Sequence, residues 1–138
     1  MSQIEVDKVI PQSGTNLQIA EAGDTINLTT ATVNLPTGVG GTSWQAVKTT
    51  NFTAVSGEGY FVNTTGGVIT ATLPASATIG NEVSIIDYAG TADTNNITIG
   101  RNGHNIQGAA SDMTVSTERA AFTLVYVVST QGWLLKDK

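Results

Sequence analysis

The chain has 138 residues, a length for one domain or one small domain with an arm. Charged residues make up 12% of it, against about 25% in an ordinary soluble protein, and the net charge is −5. Thr (22), Gly (15), Asn (10) and Ser (9) fill that space, and they favour strands and turns over helices. This excludes a helical bundle or coiled coil and, with six Lys and Arg in all, a protein that holds nucleic acid by charge.

There is no cysteine, so disulfides and thiolate metal sites are excluded and the redox compartment stays open. The opening Met1-Ser-Gln-Ile-Glu-Val-Asp-Lys8 has neither the basic nor the apolar region of a signal peptide. No apolar run approaches the roughly 20 residues that cross a bilayer. The expectation is synthesis in a cytosol without a secretion signal, no membrane partner, and work outside cells only as part of a particle. The Asn-x-Thr matches at Asn27, Asn51, Asn63 and Asn96 are the chance yield of so much Asn and Thr.

In chain order, the first elements are short alternating pieces: Leu17 and Ile19 around Gln18, Ile26 and Leu28 around Asn27, Val33 and Leu35 around Asn34. Each is a minimal strand with two apolar residues on one side. Such pieces bury little alone and suit an arm laid on a partner or the rungs of a small intertwined prism. An ordinary N-terminal sheet of the same domain is the other reading. Leu35-Pro-Thr-Gly-Val-Gly-Gly41 is a connector. The boundary is placed there: residues 1–43 as a β-rich arm for docking or trimer assembly, residues 44–138 as the main domain. Trp44 to Thr50 reads as a strand or a short helical turn.

From Asn51 the strand signals become regular. They predict strands at Phe52 to Val55, Gly59 to Asn63, Val68 to Leu73, Glu82 to Asp87, Ile97 to Ile99, Asn105 to Gln107, Met113 to Val115, Ala121 to Val128 and Trp133 to Leu135. Ser56-Gly57-Glu58-Gly59, Thr65-Gly66-Gly67 and Asn102-Gly103 are turn chemistry between them. Short strands punctuated every 8 to 12 residues predict an all-β domain, a β-sandwich or jelly-roll-like fold. In Ala121 to Val128 both faces carry apolar residues, so that strand is expected to be central or at an interface. Ser116-Thr-Glu-Arg119 resembles a helix start, but the β-branched residues that follow favour strand.

Catalytic and metal signals are weak. His104 is the single histidine, directly after Asn102-Gly103, and no G-x-S-x-G turn supplies a nucleophile; an exposed turn residue is the ordinary reading. One histidine and no cysteine exclude the usual zinc sets. Asp87 and Asp93, with Asn95 and Asn96, could converge on calcium around one loop, but Asp in a loop more often caps a turn. Gly100-Arg101-Asn102-Gly103 matches no phosphate-binding motif, and Arg101 more naturally holds a loop or an interface carboxylate. Glu58, Glu82, Asp87, Asp93 and Asp112 are available as glycosidase carboxylates, yet a domain this small leaves little room for a cleft. The expectation is no enzyme, no cofactor and no metal. Among the aromatic residues, Tyr60, Tyr88 and Trp133 are the candidates for stacking on a glycan; core or interface packing is the competing reading for all three.

Gly59-Tyr-Phe-Val-Asn-Thr-Thr-Gly-Gly-Val-Ile-Thr-Ala-Thr-Leu-Pro-Ala75, Ile79-Gly-Asn-Glu-Val-Ser-Ile-Ile-Asp-Tyr-Ala-Gly90, Asn95-Asn-Ile-Thr-Ile-Gly-Arg-Asn-Gly-His-Asn-Ile-Gln-Gly108, Phe122-Thr-Leu-Val-Tyr126 and Gly132-Trp-Leu-Leu135 follow one another in order. This succession resembles a module of bacteriophage virion proteins, especially tail-fibre and other surface structural proteins of marine and cyanobacterial phages. Val9-Ile-Pro-Gln-Ser-Gly-Thr15 and Ala22-Gly-Asp-Thr-Ile26 are similar to N-terminal segments of the same proteins. The resemblance implies a non-enzymatic virion component, commonly trimeric, exposed on the particle, and it transfers no functional residue.

A domain of this size spans a few tens of ångströms. That reach favours a capsid decoration (cement) protein, a head fibre or a short adaptor over a long fibre. The first expectation is therefore a homotrimer on the particle surface, bound to the major capsid protein or another virion protein. Ile4, Val6, Val9, Ile10, Leu17, Ile19, Ile26 and Leu28 would form the assembly interface. The alternative is a short tail-fibre or adaptor protein that recognises host surface glycans through Tyr60, Tyr88 or Trp133.

Overall fold

A computed structural model describes residues 41–137. The assembly residues expected at Ile4, Val6, Val9, Ile10, Leu17, Ile19, Ile26 and Leu28 lie outside the described residues, as does most of the expected arm.

The described residues contain no helix and nine strands. These are β1 Ser43–Trp44, β2 Phe52–Thr53, β3 Glu58–Val62, β4 Ile69–Thr72, β5 Glu82–Asp87, β6 Ile97–Gly100, β7 Met113–Val115, β8 Ala121–Tyr126 and β9 Trp133–Leu135. The all-β expectation holds. Strands β5, β7 and β9 fall on the residues predicted from the sequence. The strand expected at Asn105 to Gln107 is reduced to isolated bridges from Ile106 to Ala109 and to Trp133. Ser116–Arg119 leads into a turn, not a helix, and Arg119 takes a left-handed φ of 58°.

The strands divide between two sheets, β1-β3-β5-β8-β9 and β2-β4-β6-β7. From β1 to β6 the chain changes sheet at every step. Neighbours β1, β3, β5 and neighbours β2, β4, β6 therefore run parallel, each strand of one sheet serving as the crossover for the other. The Ser56-Gly57 and Thr65-Gly66-Gly67 turns consequently carry the chain from sheet to sheet and close no hairpin. After β6 the pairing becomes antiparallel, with β7 against β6, β8 against β5 and β9 against β8.

Alternation decides which residues meet. Tyr60 and Val62, Val83 and Ile85, Leu124 and Tyr126, and Trp133 point inward from the first sheet. Ile69, Ala71, Ile97, Ile99 and Val115 do so from the second, and all join one hydrophobic cluster. The two outer faces differ. The four-stranded sheet presents Thr70, Thr98 and Thr114 in register, with Thr53 beside Thr72; part of the threonine excess is spent here, where β-branched residues suit a strand and the hydroxyl meets water. The five-stranded sheet presents Trp44, Phe61, Ile86, Ser84 and Thr123. Strand β8 is paired on both sides, in line with its two apolar faces, although Val128 lies beyond the strand and is exposed.

Candidate functional site

Each carboxylate singled out for chemistry has a local partner. Asp87 ends β5 with its side chain buried. Its Oδ1 accepts the Gly90 N–H at 3.1 Å and the Thr91 N–H at 3.4 Å. Its Oδ2 accepts the Ala92 N–H at 3.2 Å and the Arg119 N–H at 3.0 Å. A buried carboxylate is tolerated when donors surround it in this way. The Arg119 guanidinium folds back on the same loop, donating to the Tyr88 carbonyl at 2.8 Å. Asp112 accepts the Arg101 N–H at 2.9 Å and Asp93 the Thr94 hydroxyl at 3.3 Å. Asn95 and Asn96 donate to the carbonyls of Thr64 and Ala92 at 2.9 and 2.8 Å. The residues weighed for calcium thus tie their own loops together. Among the described residues no three His, Asp or Glu side chains are grouped to hold a metal ion.

His104 is half-buried, not the open turn residue expected. Its Nε2 lies 3.0 Å from the Ala75 carbonyl, and its ring packs edge-on to Tyr126 with centroids 5.0 Å apart. Arg101 does hold a loop, its guanidinium donating to the His104 carbonyl at 3.3 Å.

The glycan expectation needs correction at two of its three residues. Tyr60 is 2% exposed and Trp133 0% exposed, so neither ring offers a face to a ligand. Both sit at inward positions, Tyr60 tilted against Phe52 at 4.6 Å and Trp133 edge-on to Tyr126 at 5.5 Å. Tyr60 also works as a buckle: its hydroxyl accepts the Val55 N–H at 2.8 Å and donates to the Glu58 carboxylate. Burial, and then the bond to Glu58, push its phenol up to about 12. Lys48 Nζ stands 5.6 Å from the centroids of both Phe52 and Tyr60, over this same cluster. Tyr88 is exposed, as the glycan reading requires.

The aromatic residue that the alternation argument missed is Trp44, 47% exposed on the outer face of the five-stranded sheet. It stacks on Phe61, with centroids 4.9 Å apart and planes 27° apart. It also lies over Gly59: a Cβ there would sit 2.6 Å from Trp44 Cε3. A glycine inside a strand is the signal of such close approach, and in the sequence Gly59 reads as a turn residue and strand start. Beside the indole is a depression of about 320 Å³ lined by the apolar Ile86, Ala121 and Phe122 together with Thr42, Ser84, Thr123 and Asp137. The Ser84 and Thr123 hydroxyls are hydrogen-bonded there at 2.9 Å. A second depression of about 270 Å³ shares Thr42 and Ser84 with it and continues to Glu58 and Glu82. Lys136 Nζ bridges to Glu82 at 3.0 Å.

No protein-family model matches the chain, and no curated protein matches it.

Proposed function

We propose that the chain is a structural protein of a bacteriophage particle, a capsid decoration or cement protein that stabilises the shell as a homotrimer over the major capsid protein. In this reading it is made in the host cytoplasm, works on the virion surface, and performs no catalysis. We read its two sheets, whose inward residues join one cluster, as a β-sandwich; the parallel pairing of β1-β3-β5 and of β2-β4-β6 differs from the antiparallel pairing of a jelly roll.

One observation carries the reading furthest. The ordered patterns that resemble phage surface modules coincide with elements of one folded unit: residues 59–75 span most of β3 and all of β4, residues 79–90 hold β5, residues 95–108 hold β6, and the last two motifs hold most of β8 and all of β9, with β7, alone among β3 to β9, outside them. The groups open to acid–base chemistry support the same reading, because Glu58, Glu82, Asp87, Asp93 and Asp112 each serve a local contact. Occupancy of a shell site would stabilise the assembled particle by mass action.

Locating the chain in a reconstruction of purified particles tests this. Density for hundreds of copies on the capsid is the expected result, and a few to tens of copies on the tail would overturn the decoration role. Removing residues 1 to 35 is expected to abolish binding to particles that lack the protein; unchanged binding would remove the docking arm from the account.

A further inference from the structure

We infer that the Trp44 face is a saccharide-binding trough, with Trp44 as its platform and an uncharged oligosaccharide as its ligand. The inference is independent of the virion reading, since it rests on the described unit alone. Three features carry it. First, Gly59 and Phe61 fix the indole flat against β3, so one ring face is packed and the other is turned to solvent. A ring held this way offers the C–H face of a pyranose an apolar contact without having to be ordered on binding.

Second, the groups around the platform are those that sugar hydroxyls bond. Thr42 and Thr123 supply hydroxyls, the latter already bonded to the buried Ser84, and Asp137 supplies an acceptor carboxylate. The adjoining depression adds Ser56, Asn81 and Glu82, while the Glu58 carboxylate at its edge is taken by the Tyr60 hydroxyl. Third, charge selects the class. Asp137 and Glu82 bring carboxylates to this side, the latter paired to Lys136, and the chain as a whole carries a net charge of −5. Sulfated or uronic-acid glycans would be repelled, while neutral sugars gain acceptors.

The test uses the full chain. Cellotriose, laminaritriose and chitotriose are titrated while the amide signals of Gly59, Ser84 and Thr123 are followed by NMR, with a heparin hexasaccharide as the anionic arm. At least one neutral trisaccharide is expected to give saturable shifts at these residues with a Kd of about 1 mM. Trp44→Ala should weaken it at least about tenfold, and Trp44→Phe should retain most of it, since a flat ring remains. Absence of saturable shifts with all three, equal binding by Trp44→Ala, or preference for the heparin fragment would each overturn the inference. So would sedimentation showing that a second copy covers Trp44 in solution. Particle location and copy number do not enter, so failure here leaves the virion reading to its own test.

Discussion

The Asp87 carboxylate accepts the backbone N–H of Arg119 at 3.0 Å, fastening the turn before β8 to the loop after β5. The same carboxylate accepts three N–H groups of that loop, from Gly90, Thr91 and Ala92. One side chain therefore completes the backbone hydrogen bonding of two connections whose strands, β5 and β8, are neighbours in the sheet. Asp87→Ala would leave four donors without this acceptor, the Ala92 N–H buried and the other three partly so. The expected loss is about 3–5 kcal/mol, with each uncompensated donor costing about 1–3 kcal/mol less whatever water restores. Asp87→Asn keeps one acceptor oxygen but turns an NH₂ group toward other donors, and a loss of about 2 kcal/mol is expected. Urea unfolding of the two variants checks the order; equal stability to the parent would show that the loops do not depend on the carboxylate.

Tyr60 makes the fold sensitive to alkali. Its phenol is raised from its ordinary value of 10.0 to about 12 in the folded chain, so the folded state favours the neutral form. Its contribution is fully present below pH 10, because both states are then protonated. Between pH 10 and 12 the unfolded chain releases the proton first, and stability falls with rising pH. Above pH 12 both states are ionised and this contribution stops changing. Thermal unfolding followed from pH 8 to 12 should show a steeper decline in the parent than in Tyr60→Phe, which has no proton to lose. Parallel declines would mean that burial and Glu58 do not hold the phenol neutral.

The inward residues of this fold were legible, while their partners were not. Alternation along β5 and β7 marks strands and faces because side chains alternate with period two. The same alternation does not say whether the next strand returns beside the last. Gly57 and Gly67 sit in turns of the kind that close hairpins, yet both carry the chain to the opposite sheet, so the parallel pairing of β3 with β5 could not be read locally. The exposed aromatic site was missed for a related reason. Trp44 belongs to a two-residue strand with no alternation to read, and Tyr60 and Trp133 look like surface candidates until their partners in register, Ile85 and Tyr126, place them over the core.

Gly132 precedes β9 with a left-handed φ of 70°, and a Cβ there would overlap the Asn105 carbonyl, which accepts the Trp133 N–H at 2.9 Å. Gly132→Ala therefore meets both strain and a backbone collision. It should destabilise by more than about 3 kcal/mol, because backbone cannot step aside as a flexible side chain does. Gly66→Ala is the control: a Cβ at Gly66 meets nothing within 4 Å, and a change within about 0.5 kcal/mol is expected. Guanidinium unfolding of the pair measures the contrast, and similar midpoints would refute the assigned collision.

Gly59→Ala tests whether the indole of Trp44 lies on β3 because Gly59 lacks a side chain. The new Cβ would come within 2.7 Å of Trp44 Cζ3 and of Thr42 Cγ2, both side-chain atoms that can move. The expected outcome is displacement of the indole from Phe61 with the core unchanged, so the unfolding free energy should fall by about 1 kcal/mol, the scale of an aromatic pair. Trp44 fluorescence should shift to the red, while buried Trp133 keeps its emission. The decisive measurement is a double-mutant cycle. Once Trp44→Ala has removed the ring, Gly59→Ala should cost little, because only the Thr42 methyl remains to be displaced, giving a coupling of about 0.5 kcal/mol or more. Strict additivity would show that the ring and the glycine are independent, and the rigid platform on this face would then lose its physical basis.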